Sequence, residues 1–277
     1  MQIGIKQSLK TNGLSFLKER IQLMIESNAL SGIIEGVIED VSRRAVPISQ
    51  LKEELTNAPV LRDAYAALSK KDMSLIAEIK RSSPSKGDLA AISDPISLAK
   101  SYQQGGADLI SVLTEERRFK GSISDLVSIR EAIDLPVLRK DFIISEFQVF
   151  ESRILGSDLM LLIVACLPKS QLIDYYQIAT ELGMNVLVET HTIDESEIAL
   201  DIGAKIIGVN CRNLKNLEMD KSTFELILPR LPESVVKIAE SGISSRSEVQ
   251  RVAELGANAI LVGETLVRSG NPIHTIK

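Results

Sequence analysis

At 277 residues the chain approaches two average domains in length, yet one closed α/β barrel also uses about 250 residues. With 44% hydrophobic and 25% charged residues it can bury a sizeable core, which excludes disordered, collagen-like and low-complexity classes. The formal net charge of −5 argues against nucleic acid or an anionic membrane surface as the main partner, and leaves room for a basic pocket that takes a small anion.

Residues 1–28 are weakly patterned and read as an N-terminal extension, a short helix or a frayed tail. Lys18, Glu19 and Arg20 interrupt the apolar residues between Leu14 and Ile25, so a signal-peptide core is not expected. Ile33, Ile34, Val37, Ile38 and Val41 then follow helical spacing and predict an amphipathic helix within a helical segment of about 29–70. That helix could close the bottom of a barrel or lie over its mouth.

From there one joint recurs: Gly106-Ala107-Asp108, Gly156-Ser157-Asp158, Gly183-Met184-Asn185, Gly203-Ala204-Lys205 and Gly256-Ala257-Asn258. Glycine ends a helix in the left-handed conformation and the third residue starts the turn into a strand. Leu135-Pro136 and Leu231-Pro232 stop helices by another route. The predicted strands are 75–80, 109–114, 137–142, 159–166, 186–189, 206–212, 235–241 and 259–263. Helical periods lie between them, as in Ile96, Ala99 and Tyr102 or Leu172, Tyr175, Tyr176 and Ala179. Eight strand-then-helix units with near-continuous apolar strands predict a (β/α)₈ TIM barrel over 29–277, with a doubly wound open sheet as the alternative.

The longest apolar run, 159–167, is too short for the roughly 20 residues that cross a bilayer. The two cysteines, Cys166 and Cys211, form neither a disulfide framework nor a metal-ligand spacing, so a cytoplasmic protein with reduced thiols is expected. His191 and His274 have no partner at ligand spacing either, and no metal is expected. Cys211 should face the helices as a packing residue.

Barrel enzymes hold their chemistry where the strands end, and these ends are strongly polar. Alternation puts Glu78 and Lys80 on one side of strand one, and Lys140 with Phe142 opposite Arg139 with Asp141 on strand three. Glu189 ends strand five, Asn210 and Arg212 strand six, Glu240 and Ser241 strand seven. Three acids and three bases at one mouth are costly to desolvate, so a working site explains them better than a structural cap. Ser241-Gly242 after strand seven and Gly263-Glu264 after strand eight are where such barrels expose backbone N–H groups to a phosphate. The turn-rich loop at 82–87 could fold over a ligand.

These residues resemble the indole-3-glycerol phosphate synthase family over about residues 30–270. The resemblance is carried by Ala77-Glu78-Ile79-Lys80-Arg81-Ser82-Ser83-Pro84-Ser85, Leu113-Thr114-Glu115-Glu116 with Phe119-Lys120-Gly121-Ser122, Arg139-Lys140-Asp141-Phe142-Ile143, Leu161-Leu162-Ile163-Val164, Val188-Glu189, Gly208-Val209-Asn210-Cys211-Arg212-Asn213-Leu214 and Ala239-Glu240-Ser241-Gly242-Ile243. It implies a carboxy-lyase of tryptophan biosynthesis that uses no metal or organic cofactor. Its substrate would be 1-(2-carboxyphenylamino)-1-deoxyribulose 5-phosphate, a phosphorylated small molecule, closed to indole-3-glycerol phosphate with loss of CO₂ and water.

By the same resemblance Lys140 would be the general acid, Lys80 the second lysine, Glu189 the acid–base partner in dehydration, and Glu78 the residue that orients the lysines and holds them charged. Asn210 and Arg212 would hold the anthranilate part, and Glu240 and Ser241 would lie near the ribulose and phosphate. Ser83 belongs to the same binding set. Gly242, Gly263 and Glu264 would cradle the phosphate, while Pro84, Phe119, Phe142, Leu161 and Leu261 supply an apolar wall. Cys211 departs from the small polar residue, often asparagine, of the family.

Other readings remain at this point. A phosphoribosylanthranilate isomerase would be expected to carry cysteine at the end of strand one, where Glu78 and Lys80 stand. A Schiff-base aldolase could use Lys140 or Lys80, and a phosphosugar-binding module would not release CO₂. The chain ends soon after strand eight, so no fused isomerase domain is expected to follow. Oligomeric state has no signature in these residues.

Overall fold

The computed structural model describes residues 28–277, so the expected extension lies outside the described residues apart from Asn28. Asn28 belongs to the first helix, α1 (Ala29–Arg44): its side-chain carbonyl accepts from the Leu30 and Ser31 amides and Ser31 closes a capping box. Helices α2 (Ile48–Glu54) and α3 (Ala64–Leu68) complete the prefix.

Eight parallel strands then close on themselves in sequence order: β1 (Ser74–Ile79), β2 (Leu109–Leu113), β3 (Val137–Lys140), β4 (Leu159–Ile163), β5 (Asn185–Thr190), β6 (Ile206–Asn210), β7 (Val236–Glu240) and β8 (Ala259–Val262). The closed barrel settles the architecture against the open sheet. Helices α4 (Pro95–Gly105), α5 (Ile123–Ala132), α6 (Glu146–Ile154), α7 (Lys169–Glu181), α8 (Ile193–Asp201), α9 (Ser222–Ile227), α10 (Arg246–Glu254), α11 (Glu264–Val267) and α12 (Pro272–Ile276) follow the strands.

At Gly106 (φ 108°) the joint is what its sequence predicts, a left-handed end to α4. The third residue of the joint does more than start a turn. Asp108 accepts the Leu75 amide at 2.9 Å, Asp158 the Val137 amide at 2.8 Å, and Asn258 the Lys237 amide at 2.9 Å. Each of these three side chains thus satisfies an amide at the start of a neighbouring strand, stitching the barrel floor.

Three strands stop two or three residues short of their predicted ends. β3 ends at Lys140 rather than residue 142, because the Asp141 carboxylate takes the Phe142 amide at 2.8 Å out of the ladder. β4 ends at Ile163, and Val164–Cys166 form a 3₁₀ turn. β6 ends at Asn210, whose side-chain oxygen accepts the Arg212 amide at 3.0 Å.

The prefix serves both ends of the barrel. α1 lies at the mouth: Ala29 N donates to Lys215 O at 3.2 Å, Asp40 holds Arg117 from the loop after β2, and Ile33 lines the central cavity. Ile33, Ile34, Val37, Ile38 and Val41 are all buried, each worth roughly 1.5–3 kcal/mol. α3 sits at the opposite end, where Tyr65 N donates to the Asn185 side chain and Ser74 donates to Ala67 O. Among the described residues no helix is long and apolar enough to cross a membrane.

Candidate active site

Parallel pairing brings the polar strand ends to one level. Glu78 stands opposite Ser111, Leu113 opposite Lys140, Ile163 opposite Glu189, Glu189 opposite Gly208, and Asn210 opposite Glu240. They border a cavity of about 380 Å³ at the C-terminal mouth. Glu78, Lys80, Ser83, Pro84, Phe119, Lys140, Phe142, Leu161, Glu189, Asn210, Arg212, Glu240, Ser241, Gly242, Leu261, Gly263 and Glu264, named above from the sequence, all line it.

Lys140 is the hub. Its Nζ lies 2.6 Å from Glu189 Oε2 and 3.3 Å from Glu240 Oε2, with both acids 1% exposed. Burial opposes the ammonium, but Glu189 and Glu240, helped by Glu78, outweigh it and raise Lys140 above the ordinary lysine range. Glu78 itself pairs with Lys80 at 2.7 Å and accepts Ser111 Oγ at 3.4 Å. The acids that touch Lys140 therefore come from β5 and β7, while the β1 acid is committed to the other lysine. Across β3, Arg139 is wholly buried and bonds Thr114, Asp141, Ser152 and Glu151, and Glu151 also receives Arg44 of α1. That outer network holds the strand end that aims Lys140 inward.

The two acids on Lys140 are not equivalent. Glu189 also accepts Asn210 Nδ2 at 3.1 Å and lies 3.3 Å from His191 Nε2. Burial resists its charge, yet Lys140 and His191 hold it well below the usual carboxylate range. Glu240 has no such second cation, and its Oε1 lacks a hydrogen-bond partner among the described residues. Burial and the Glu189 charge outweigh Lys140 and push Glu240 up.

Leu261 of β8 lines the cavity beside Glu240, and a separate wall is apolar, with Phe119 and Phe142 ring centroids 6.2 Å apart and Leu161 also lining the cavity. Opposite, Ser241 and Gly242 take consecutive positive φ values of 68° and 69°. A non-glycine residue in that region is strained, and such strain gathers at functional turns. Arg212 does not join the acid network; its Nη1 bonds Ser85 Oγ at 2.9 Å and Leu217 O at 3.1 Å, which ties the loop after β1 to the loop after β6. Cys211 is buried in the hydrophobic core, and its Sγ also donates to Ser241 O at 3.5 Å beneath Gly242, where it supports that turn. Burial pushes its thiol up to about 11, which leaves it a poor nucleophile.

Sequence reasoning missed several residues. Lys86 and Arg268 line the mouth and face Glu264 at 3.1 and 3.5 Å, and Lys221 stands beside Gly242. Nothing in the local sequence separates these from surface lysines and arginines. His191 did leave a signal, its spacing of four from Glu195 at the start of a helix.

The floor beneath Glu240 has no slack. A Cβ at Gly208 would overlap Glu240 Oε1 and come within 3.1 Å of Leu187 Cδ1. Gly208→Ala is therefore expected to displace the Glu240 carboxylate, cutting kcat/KM at least tenfold and lowering Tm by several degrees. A variant with wild-type kcat/KM and Tm would show that Glu240 has room to move.

Residues 30–277 match the family described as indole-3-glycerol phosphate synthase. The chain belongs to the indole-3-glycerol phosphate synthase family. Among curated members it is 52% identical over 250 residues to the indole-3-glycerol phosphate synthase of Paenarthrobacter aurescens and 49% identical over 247 residues to that of Streptomyces griseus. Each alignment covers 88% of this chain and 92% of the relative. Among solved structures it is similar to N-acetylmannosamine-6-phosphate 2-epimerase from Clostridium perfringens, with a TM-score of 0.60 at 15% identity over 76% of this chain and 94% of that one. That likeness is one of fold alone; the synthase family is shown by sequence.

Proposed function

We propose that the cavity closes 1-(2-carboxyphenylamino)-1-deoxyribulose 5-phosphate to indole-3-glycerol phosphate, with Lys140 as the general acid of the ring-closing step. The observation that carries the assignment is a lysine kept protonated by two buried carboxylates and set between an aromatic-lined wall and the strained Ser241-Gly242 turn. The substrate has matching ends, an aromatic carboxylate and a sugar phosphate.

In this reading the aromatic ring lies against Phe119, Phe142 and Leu161 while Arg212 and Asn210 receive the carboxylate end. Gly242 and Gly263 offer backbone N–H groups to the phosphate, with Lys86, Lys221 and Arg268 supplying positive charge around Glu264. The ring carbon bearing the carboxylate attacks the ketone carbon, the carbonyl electron pair moves to oxygen, and Lys140 gives that oxygen its proton. A weak acid suffices, because an alkoxide is a far stronger base than an amine. The bond to CO₂ then breaks and its electrons restore aromaticity.

Dehydration completes the sequence. Lys80 protonates the departing hydroxyl, and Glu189, ionised in the free site, takes the proton from the neighbouring ring carbon. Glu78 anchors Lys80 for that role.

The decisive assay follows indole fluorescence and CO₂ release from the carboxyphenylamino substrate. Both are expected in equal amounts. Binding without CO₂ release, or a lysine adduct trapped by borohydride, would overturn the assignment.

A further inference from the structure

Lys140 touches two carboxylates, and the proposed chemistry needs them to behave differently. When Lys140 gives its proton away, Glu189 and Glu240 are left facing a neutral amine, both buried. Two such acids tend to share one proton, and if Glu189 took it, no base would remain for the dehydration.

His191 stands where it can break that symmetry. It follows β5, and its ring is 9% exposed. Nε2 lies 3.3 Å from Glu189 Oε1, an ion contact rather than an aligned hydrogen bond. Nδ1 lies 3.0 Å from Glu195 Oε2, and the same oxygen accepts the His191 amide at 2.7 Å. A neutral imidazole has one N–H and would turn a lone pair toward one of these carboxylates; an imidazolium offers N–H to both.

We propose that His191, anchored by Glu195, is a positioning residue that acts as a permanent cation on Glu189, so that Glu189 stays the ionised base while Glu240 carries any proton the pair must hold. The inference rests on Glu189 being the acid–base group of the dehydration.

The surrounding charges agree. From β3 comes Lys140, on the other oxygen of Glu189; from β7 comes Glu240, beyond Lys140; from α8 comes Glu195. The turn after β4 contributes Cys166, whose buried thiol is pushed well up and so stays neutral. Lys169 of α7 is paired with Asp201 at the other end of α8, and Glu225 of α9 with Arg251. Burial disfavours the imidazolium, but Glu189 and Glu195 outweigh it and raise His191 to about 9.

The test is the pH profile of single-turnover indole formation for wild type, His191→Gln and Glu195→Gln, with Tm recorded for each. Wild type is expected to hold its rate down to about pH 5 and to lose it above about pH 9. In His191→Gln the acidic limb should move up by at least one unit, with a lower plateau, because Glu189 now competes with Glu240 for one proton. In Glu195→Gln the alkaline limb should fall by a similar amount, since the imidazolium has lost a partner. A folded His191→Gln protein whose profile superimposes on wild type after uniform scaling overturns the proposal. If His191→Gln does not fold, Glu195→Gln decides, and an unmoved alkaline limb overturns the proposal equally. Glu189→Gln separates the two ideas. If it keeps full activity, the base assignment itself is wrong; if it is inactive while the His191 and Glu195 profiles stay unmoved, only the present inference fails.

Discussion

Lys140→Met is expected to abolish indole formation while leaving substrate affinity within a few-fold of wild type. A positioned general acid is worth about 10²–10⁴-fold in rate, and loss of a charge aimed at the developing alkoxide adds to that. A lysine serving only to neutralise Glu189 and Glu240 would give the opposite pattern, a destabilised protein with modest kinetic change. Single-turnover rate, equilibrium affinity and Tm, compared with Lys169→Met on the exposed start of α7, separate the two. A folded Lys140→Met protein that forms product at more than about a tenth of the wild-type rate would exclude the general-acid role. Lys86, which from the loop sequence alone looks like a neutral control, cannot serve, because it lines the mouth beside Glu264.

The same variant carries a pH signature. Without Lys140, Glu240 loses the one cation that contacts it among the described residues, and its carboxyl moves further up. The native state then binds more protons than the unfolded chain between the ordinary glutamate value and the raised one. Stability therefore falls as pH rises through that window. Glu240 is already pushed up to about 8 in wild type, so Tm of Lys140→Met should go on falling above pH 8, where that of wild type levels off.

Glu189→Gln is expected to lose about 10²–10⁴-fold in indole formation and less in CO₂ release. The split arises because decarboxylation follows the proton from Lys140, whereas dehydration needs the carboxylate. Glutamine keeps the shape of the side chain, and its one amide oxygen can still accept from Lys140, which bonds a different oxygen of Glu189 from Asn210, so the fold should persist. Rapid-quench measurement of both products checks it; equal loss of CO₂ and indole would place Glu189 in the first step instead.

Much of the site was legible because alternation along a strand is rigid. Once Lys80, Lys140, Glu189, Asn210 and Glu240 are placed at strand ends, the period of two decides which side each faces, and a parallel barrel offers one mouth for all of them. The repeated glycine joints spaced those strands, so the eightfold count followed from local backbone chemistry. Strand ends were less legible. Asp141 and Asn210 end β3 and β6 by bonding backbone amides through their side chains, and such a substitution has no periodicity.

What the sequence by itself determined is which residues could face one another; which of them do was decided by register and by elements distant in the chain. Alternation along β1 already sets Glu78 beside Lys80, but only closure brings Glu240 of β7 onto Lys140 of β3. The amphipathic pattern of α1 demanded a buried face without saying where. Its place at the mouth comes from Asp40 meeting Arg117 and from Ala29 meeting Lys215. The spacing of His191 from Glu195 allows a pair, but only the folded start of α8 turns Glu195 onto the ring while Glu189 meets its other side. A charge is read from composition, but its strength depends on burial and on the partner that arrives from elsewhere, and only the folded chain supplies those.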